Sequence, residues 1–229
     1  MKHMFFIIST CLIGFNLIPP LITSAIGLPQ KEIYAGHKLI DKWNTKAAEQ
    51  YANNLLKKYP KSGDVYFLKA RIEFLKGNHE IAWEILKQVN SNHKEVREFK
   101  NLIYNTYEET KLFTTSESKH FIYRYQKGPD EILVHYATQA MEKSYEVLGN
   151  ILNYYPKEKV LVEFYPNQKS LSKVSPLTLD DITTSGTVAL CKYNRIMIIS
   201  PGSLVRGYNW MDTLSHEYIH YILTKKSQN

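Results

Sequence analysis

The sequence predicts an α+β protein: a helical arm, then a mixed, mostly antiparallel sheet with one long helix at its end. Three observations predict it. Residues 31–112 contain a single proline, Pro60, and apolar residues at helical spacing. From residue 114 onward, short segments of alternating polarity are interspersed with helical ones and separated by turn residues. The last periodic stretch, 209–224, is long enough for roughly four helical turns.

Taken in order, the chain opens with Met1-Lys2-His3, followed by an almost wholly apolar run from Met4 to Ile18 and by Pro19-Pro20. Small residues follow at Thr23, Ser24, Ala25 and Gly27. Basic, apolar and small is the order of a secretory signal, and cleavage after Ala25 or Gly27 fits a small-x-small site. Residues 1–27 are therefore expected to be a signal peptide, with an uncleaved membrane anchor as the alternative. The expected location is extracytoplasmic, secreted or associated with the cell envelope. Two cysteines, Cys11 and Cys191, give the mature chain one thiol and no internal disulfide.

The helical arm, residues 31–112, contains an internal echo: Ala48 is followed 34 residues later by Ala82. A helix over Tyr66–Lys76, a turn at Gly77-Asn78 and a helix over His79–Val89 are expected, with Glu95–Thr110 as a further helix. Small alanines at 48, 70 and 82 allow close helix crossings, and Tyr66, Phe67, Phe74, Leu75, Trp83 and Leu86 supply apolar faces. This arrangement resembles a tetratricopeptide repeat. The resemblance implies either a peptide-binding groove that takes a protein partner, or a packing arm that only supports the sheet-containing domain.

Residues 114–118 are polar and read as a hinge. Strands are expected over His120–Tyr125, Lys159–Phe164, Gly186–Lys192 and Arg195–Ile199. The last two are joined by a tight turn at Tyr193-Asn194. A helix is expected over Glu131–Leu152, and a partly helical loop runs through Pro176 and Asp180-Asp181.

Composition narrows the function. The chain has 229 residues, 44% hydrophobic and 22% charged, which fits one or two folded domains. The net charge is +7 and the pI about 9.1. The lysines are scattered, with no basic block and no interleaved aromatic platform, so the charge reads as solvated surface and not as a nucleic-acid site. A membrane is expected only through an uncleaved N-terminal segment.

The chemistry lies in His216-Glu217-Tyr218-Ile219-His220. Histidines four apart share one face of a helix and can reach one metal ion from the same side. Zinc accepts such nitrogen ligands and, in catalytic sites, keeps a position for water. Glu217, beside the first histidine, is placed to act as general base. The other helix face, Met211, Leu214, Tyr218, Tyr221 and Ile222, is apolar and expected to be buried.

The stretch from Phe121 to Thr224 resembles the peptidase-MA-like domain of exported bacterial proteins, in the gluzincin group of zinc peptidases. The likeness is carried by Ser118-Lys119-His120-Phe121, Gly186-Thr187-Val188-Ala189, Ile199-Ser200-Pro201 and Asp212 to His220. It implies an incomplete zincin-like fold over residues 114–229, Zn2+ held by His216 and His220, and Glu217 as the catalytic base. It also implies a peptide or protein substrate pairing by strand addition along Gly186, Thr187, Val188 and Ala189; those residues read equally as an ordinary sheet strand.

Gluzincins take a third ligand from a glutamate about twenty residues beyond the motif. After His220 this sequence has no carboxylate or histidine. The peptidase domain is therefore expected to be an N-terminal portion, its activity weak or absent. Asp212, one turn before His216, is expected to serve as a helix-start or supporting residue. His37, His79 and His93 read as surface residues of the arm, and His120 and His135 as structural. The alternative function is a non-catalytic binding or scaffold protein that uses the arm.

Overall fold

The computed structural model describes residues 30–128, 130–204 and 207–227. The targeting segment expected at residues 1–27 and the turn residue Pro129 lie outside them. The arm consists of α1 (Gln30–Asp41), α2 (Thr45–Lys58), α3 (Gly63–Leu75), α4 (His79–Lys87) and α5 (Lys94–Thr110). Asn44 caps α2, its side chain accepting from the Ala47 backbone N–H at 3.2 Å. Gly77 turns α3 into α4 at φ +79°, a backbone geometry open to glycine at little cost. Ala48, Ala70 and Ala82 are all fully buried, as close crossings require. Phe74, Leu86 and Ile103 fill the core between α3, α4 and α5.

The sheet comes next in the chain. Its strands are β1 (Phe113–Glu117), β2 (Phe121–Gln126), β3 (Val160–Tyr165), β4 (Ala189–Lys192) and β5 (Arg195–Ile199), in the order β1-β2-β3-β5-β4. Between them lie α6 (Glu131–Leu152), α7 (Gln168–Val174) and α8 (Leu179–Ser185), and α9 (Trp210–Ser227) comes last.

Two expectations need correction here. The polar stretch at 114–118 is not a hinge; it lies largely within β1, which pairs antiparallel with β2. An edge strand keeps one side in water, so its polar residues do not break it. Nor is the sheet mostly antiparallel. β2–β3 and β3–β5 are parallel, and only the β1–β2 and β4–β5 pairs are antiparallel. The reason is connection length: α6 separates β2 from β3, and a helical crossover returns the chain in the same direction. Central β3 is buried along its whole length, as a strand covered on both faces must be.

One face of the sheet (Phe121, Val162, Phe164, Ile196, Ile198) packs on α6 and α9 through Ala137, Met141, Leu214, Tyr218 and Ile222. The other face (Tyr165, Met197, Ile199) packs on α7 and α8 through Leu171, Val174 and Ile182.

The arm meets this second face at a buried charge cluster. Glu163 on β3 accepts from His79 Nε2 at 2.8 Å and from the Tyr165 hydroxyl at 2.6 Å, and pairs ionically with the Arg195 guanidinium at 2.9 Å. Burial alone would raise the carboxyl pKa, but Arg195, His79 and Arg124 outweigh it and hold Glu163 far below the usual carboxylate range. His79, expected at the surface, is therefore a buried junction residue. Burial lowers its pKa, so the neutral ring donates to the carboxylate. His37 is likewise only half-exposed; burial and then the neighbouring Arg71 push its pKa down to about 3.

Candidate metal centre

The segment entering α9 is fixed before the helix begins. The Ser200 hydroxyl donates to Asp130 at 2.6 Å, and the Tyr208 hydroxyl donates to the Ile199 carbonyl. Asp212 stands exposed in the first turn, where the Asn209 side-chain amide donates to it. That is a helix-start role, and a carboxylate there also suits the positive end of the helix dipole.

The helix then settles by its apolar side. Leu214, Tyr218, Tyr221 and Ile222 are buried, and Ser215 meets Ser144 of α6 at 2.9 Å. Met211, expected in that stripe, is instead 39% exposed, because it lies in the first turn of the helix before the main packing begins.

The opposite side presents the histidines. His216 is exposed and His220 half-exposed, with their Nε2 atoms 3.1 Å apart. Their rings are nearly perpendicular, at 83°. At this separation the two rings share an N–H···N hydrogen bond. Two ligands of a tetrahedral zinc, each about 2.0–2.1 Å from the ion, would hold their nitrogens about 3.3 Å apart. The pair therefore fits two neighbouring zinc positions with little movement. Burial, then the charge of His216, lowers the His220 pKa, which favours the neutral ring that binds metal. Among the described residues no group of three His, Cys, Asp or Glu side chains could hold a metal ion. The fit is for two ligands, not three.

Glu217, the residue after His216, is 4% exposed. Burial raises its carboxyl pKa to about 7, partly opposed by a hydrogen bond from the Cys191 backbone. That bond joins the motif helix to β4, a contact for which the motif itself gives no hint. A carboxyl poised near neutrality can both accept and return a proton.

The candidate substrate residues are placed less uniformly than expected. Gly186 is the left-handed cap that ends α8, at φ +69°, and Thr187 and Val188 lie outside the strand; only Ala189 belongs to β4. The glycine's conformational freedom serves the helix end, so the strand starts three residues late.

His120 and His135 remain apart from this site. His120 Nδ1 contacts Glu142, which also accepts from the Ser118 hydroxyl at 2.6 Å, and the His120 ring stacks on Tyr145. The cluster fastens the β1–β2 turn to α6.

A family model described as Iml2/Tetratricopeptide repeat protein 39 matches residues 2–157. The chain belongs to the Iml2/Tetratricopeptide repeat protein 39 family. The matched span takes in the arm, β1, β2 and α6. Its end at residue 157 precedes β3, so the Iml2/Tetratricopeptide repeat protein 39 match does not extend over the motif helix. Neither a search of curated proteins nor a search of solved structures found a match. Among the described residues no helix is long and apolar enough to cross a membrane.

Proposed function

We propose that the chain is a zinc-dependent peptidase-type protein, with His216 and His220 as metal ligands and Glu217 as general base. One observation carries the reading: two imidazole nitrogens 3.1 Å apart on one helix, with a buried carboxyl on the adjacent residue. The antiparallel edge strand beside the motif helix also supports the resemblance to a peptidase-MA-like, zincin-type domain over residues 114–229, after an arm over 31–112.

Zinc, when bound, would polarise the scissile carbonyl and acidify the attacking water. Glu217 would take a proton from that water and deliver it to the leaving amine. A substrate strand would lie along the outer edge of β4, Ala189–Lys192, with Gly186, Thr187 and Val188 flanking it. Substrates are peptides or proteins met outside the cytoplasm, in keeping with the signal-like N-terminus. The two protein ligands among the described residues by themselves predict weak zinc affinity and slow hydrolysis.

A second reading is favoured by the family match to residues 2–157. In it the chain is a binding or scaffold protein whose arm takes a protein partner, and the motif helix is catalytically silent. Hydrolysis of a quenched fluorescent peptide separates the two. Slow cleavage that stops on zinc chelation and in Glu217→Ala supports the peptidase. No cleavage above the Glu217→Ala background, with zinc supplied, supports the scaffold.

A further inference from the structure

We propose that the helical arm is part of the framework of the candidate metal centre, with Trp43 and Asn194 as positioning residues that set where the motif helix lies. The metal aspect rests on the zinc reading above; the mechanical tie does not. The site has two walls, the β4–β5 hairpin and α9, and each is fastened to the arm.

The hairpin turn, Tyr193-Asn194, has φ values of +54° and +61°, as a two-residue turn of the mirror-image type requires. That turn aims both side chains into the arm. The Tyr193 ring lies 5.3 Å from Phe74 of α3, and Asn194 Nδ2 donates to the Leu75 carbonyl at 2.9 Å.

The motif helix is tied to the same place. Tyr221, the residue after His220, donates its hydroxyl to Asn194 Oδ1 at 3.2 Å. Asn194 thus uses its amide to hold the arm and its carbonyl to hold α9. One turn further on, Lys225 Nζ donates to the Trp43 carbonyl at 2.8 Å, and the Trp43 ring lies 5.8 Å from the Tyr221 ring.

Trp43 itself stands at φ +49°, where a bulky residue is rarely found. Such a conformation persists only when the surroundings over-determine it. Here the surroundings are two cores at once, since Trp43 packs against both the α1–α3 cluster and the sheet–α9 cluster. A separate docking module would join the sheet through an exposed linker crossed by few contacts. This arm instead holds the last two turns of the helix that carries the histidines.

Two glycine substitutions test this while keeping the positive φ that each position needs: Asn194→Gly and Trp43→Gly, each in the full chain. Hydrogen exchange of α9 and visible absorption of added Co(II) are read in parallel. Both variants are expected to exchange faster over residues 216–226 with β2 and β3 unchanged, and to bind Co(II) roughly tenfold more weakly, the scale of a lost supporting partner. Wild-type exchange in both variants overturns the proposal, and so does faster exchange with unchanged Co(II) affinity. A wild-type chain that binds no Co(II) removes the zinc reading and the positioning role together. Wild-type binding with unaffected variants removes the positioning role alone.

Discussion

Glu163 and Glu217 are 0% and 4% exposed, yet their environments drive their carboxyl pKa values in opposite directions. Glu163, at the junction of arm and sheet, has Arg195, His79, Arg124 and Tyr165 around it, and stays ionised. Glu217, on the motif helix, has one backbone hydrogen bond from Cys191 to set against burial, and rises to about 7. In the first arrangement the carboxylate itself is fully partnered, although His79 Nδ1 and Arg195 Nη1 beside it find no hydrogen-bond partner among the described residues. The second leaves a carboxyl under-solvated on the helix that carries the two histidines. A group satisfied on every side holds structure together, whereas one left partly unsatisfied keeps its proton available for exchange.

The largest expected effect breaks the satisfied side. Glu163→Ala leaves Arg195 buried without its carboxylate and should destabilise the fold by about 3–5 kcal/mol in denaturant titrations. Replacing Glu163 and Arg195 together with methionine should recover much of that loss, because the fully buried Arg195 charge is then removed and Arg124 keeps part of its side chain in solvent.

The next sharpens the contrast through pH. Glu217 has a raised folded pKa. In the metal-free chain, the stability it allows is fully present below 4.5 and is lost as pH rises from there to about 7. At about 1.4 kcal/mol per pH unit the loss is roughly 3 kcal/mol, and Glu217→Gln should remove most of that slope. Glu163 has the opposite sign. Its depressed folded pKa gives stability that is present above 4.5 and lost as pH falls below it. Melting temperatures between pH 3 and pH 8 should therefore drop toward the acid end through Glu163 and fall with rising pH between about 4.5 and 7 through Glu217.

The smallest effect lies in the arm. Asn44→Ala removes the cap of α2 and should cost about 1 kcal/mol, read by chemical denaturation.

Sequence pattern was most informative where the signal is local. The limits of α6 and β5, the two-residue turn at Tyr193-Asn194 and the buried alanines at 48 and 82 all follow from periodicity, turn chemistry or residue size. It failed where the cause is distant. Parallel pairing of β2, β3 and β5 depends on how the crossovers lie, which no strand encodes by itself. His79 looked like a surface residue because its partner, Glu163, is 84 positions away. Glu163 did carry a signal, as the single charge in Val160–Tyr165, an otherwise apolar strand. At the candidate site the histidine spacing was legible, since a helix turns spacing directly into geometry. The Glu217–Cys191 bond and the Trp43–Tyr221 contact were not, because they join segments brought together only by the fold.

The most direct test of the central claim is a zinc titration of the full chain by calorimetry, repeated on His216→Ala, His220→Ala and Glu217→Gln. One zinc per chain, bound weakly, lost in both histidine variants and retained in Glu217→Gln, is the predicted result. Absence of zinc binding, or binding that survives both histidine changes, would contradict it.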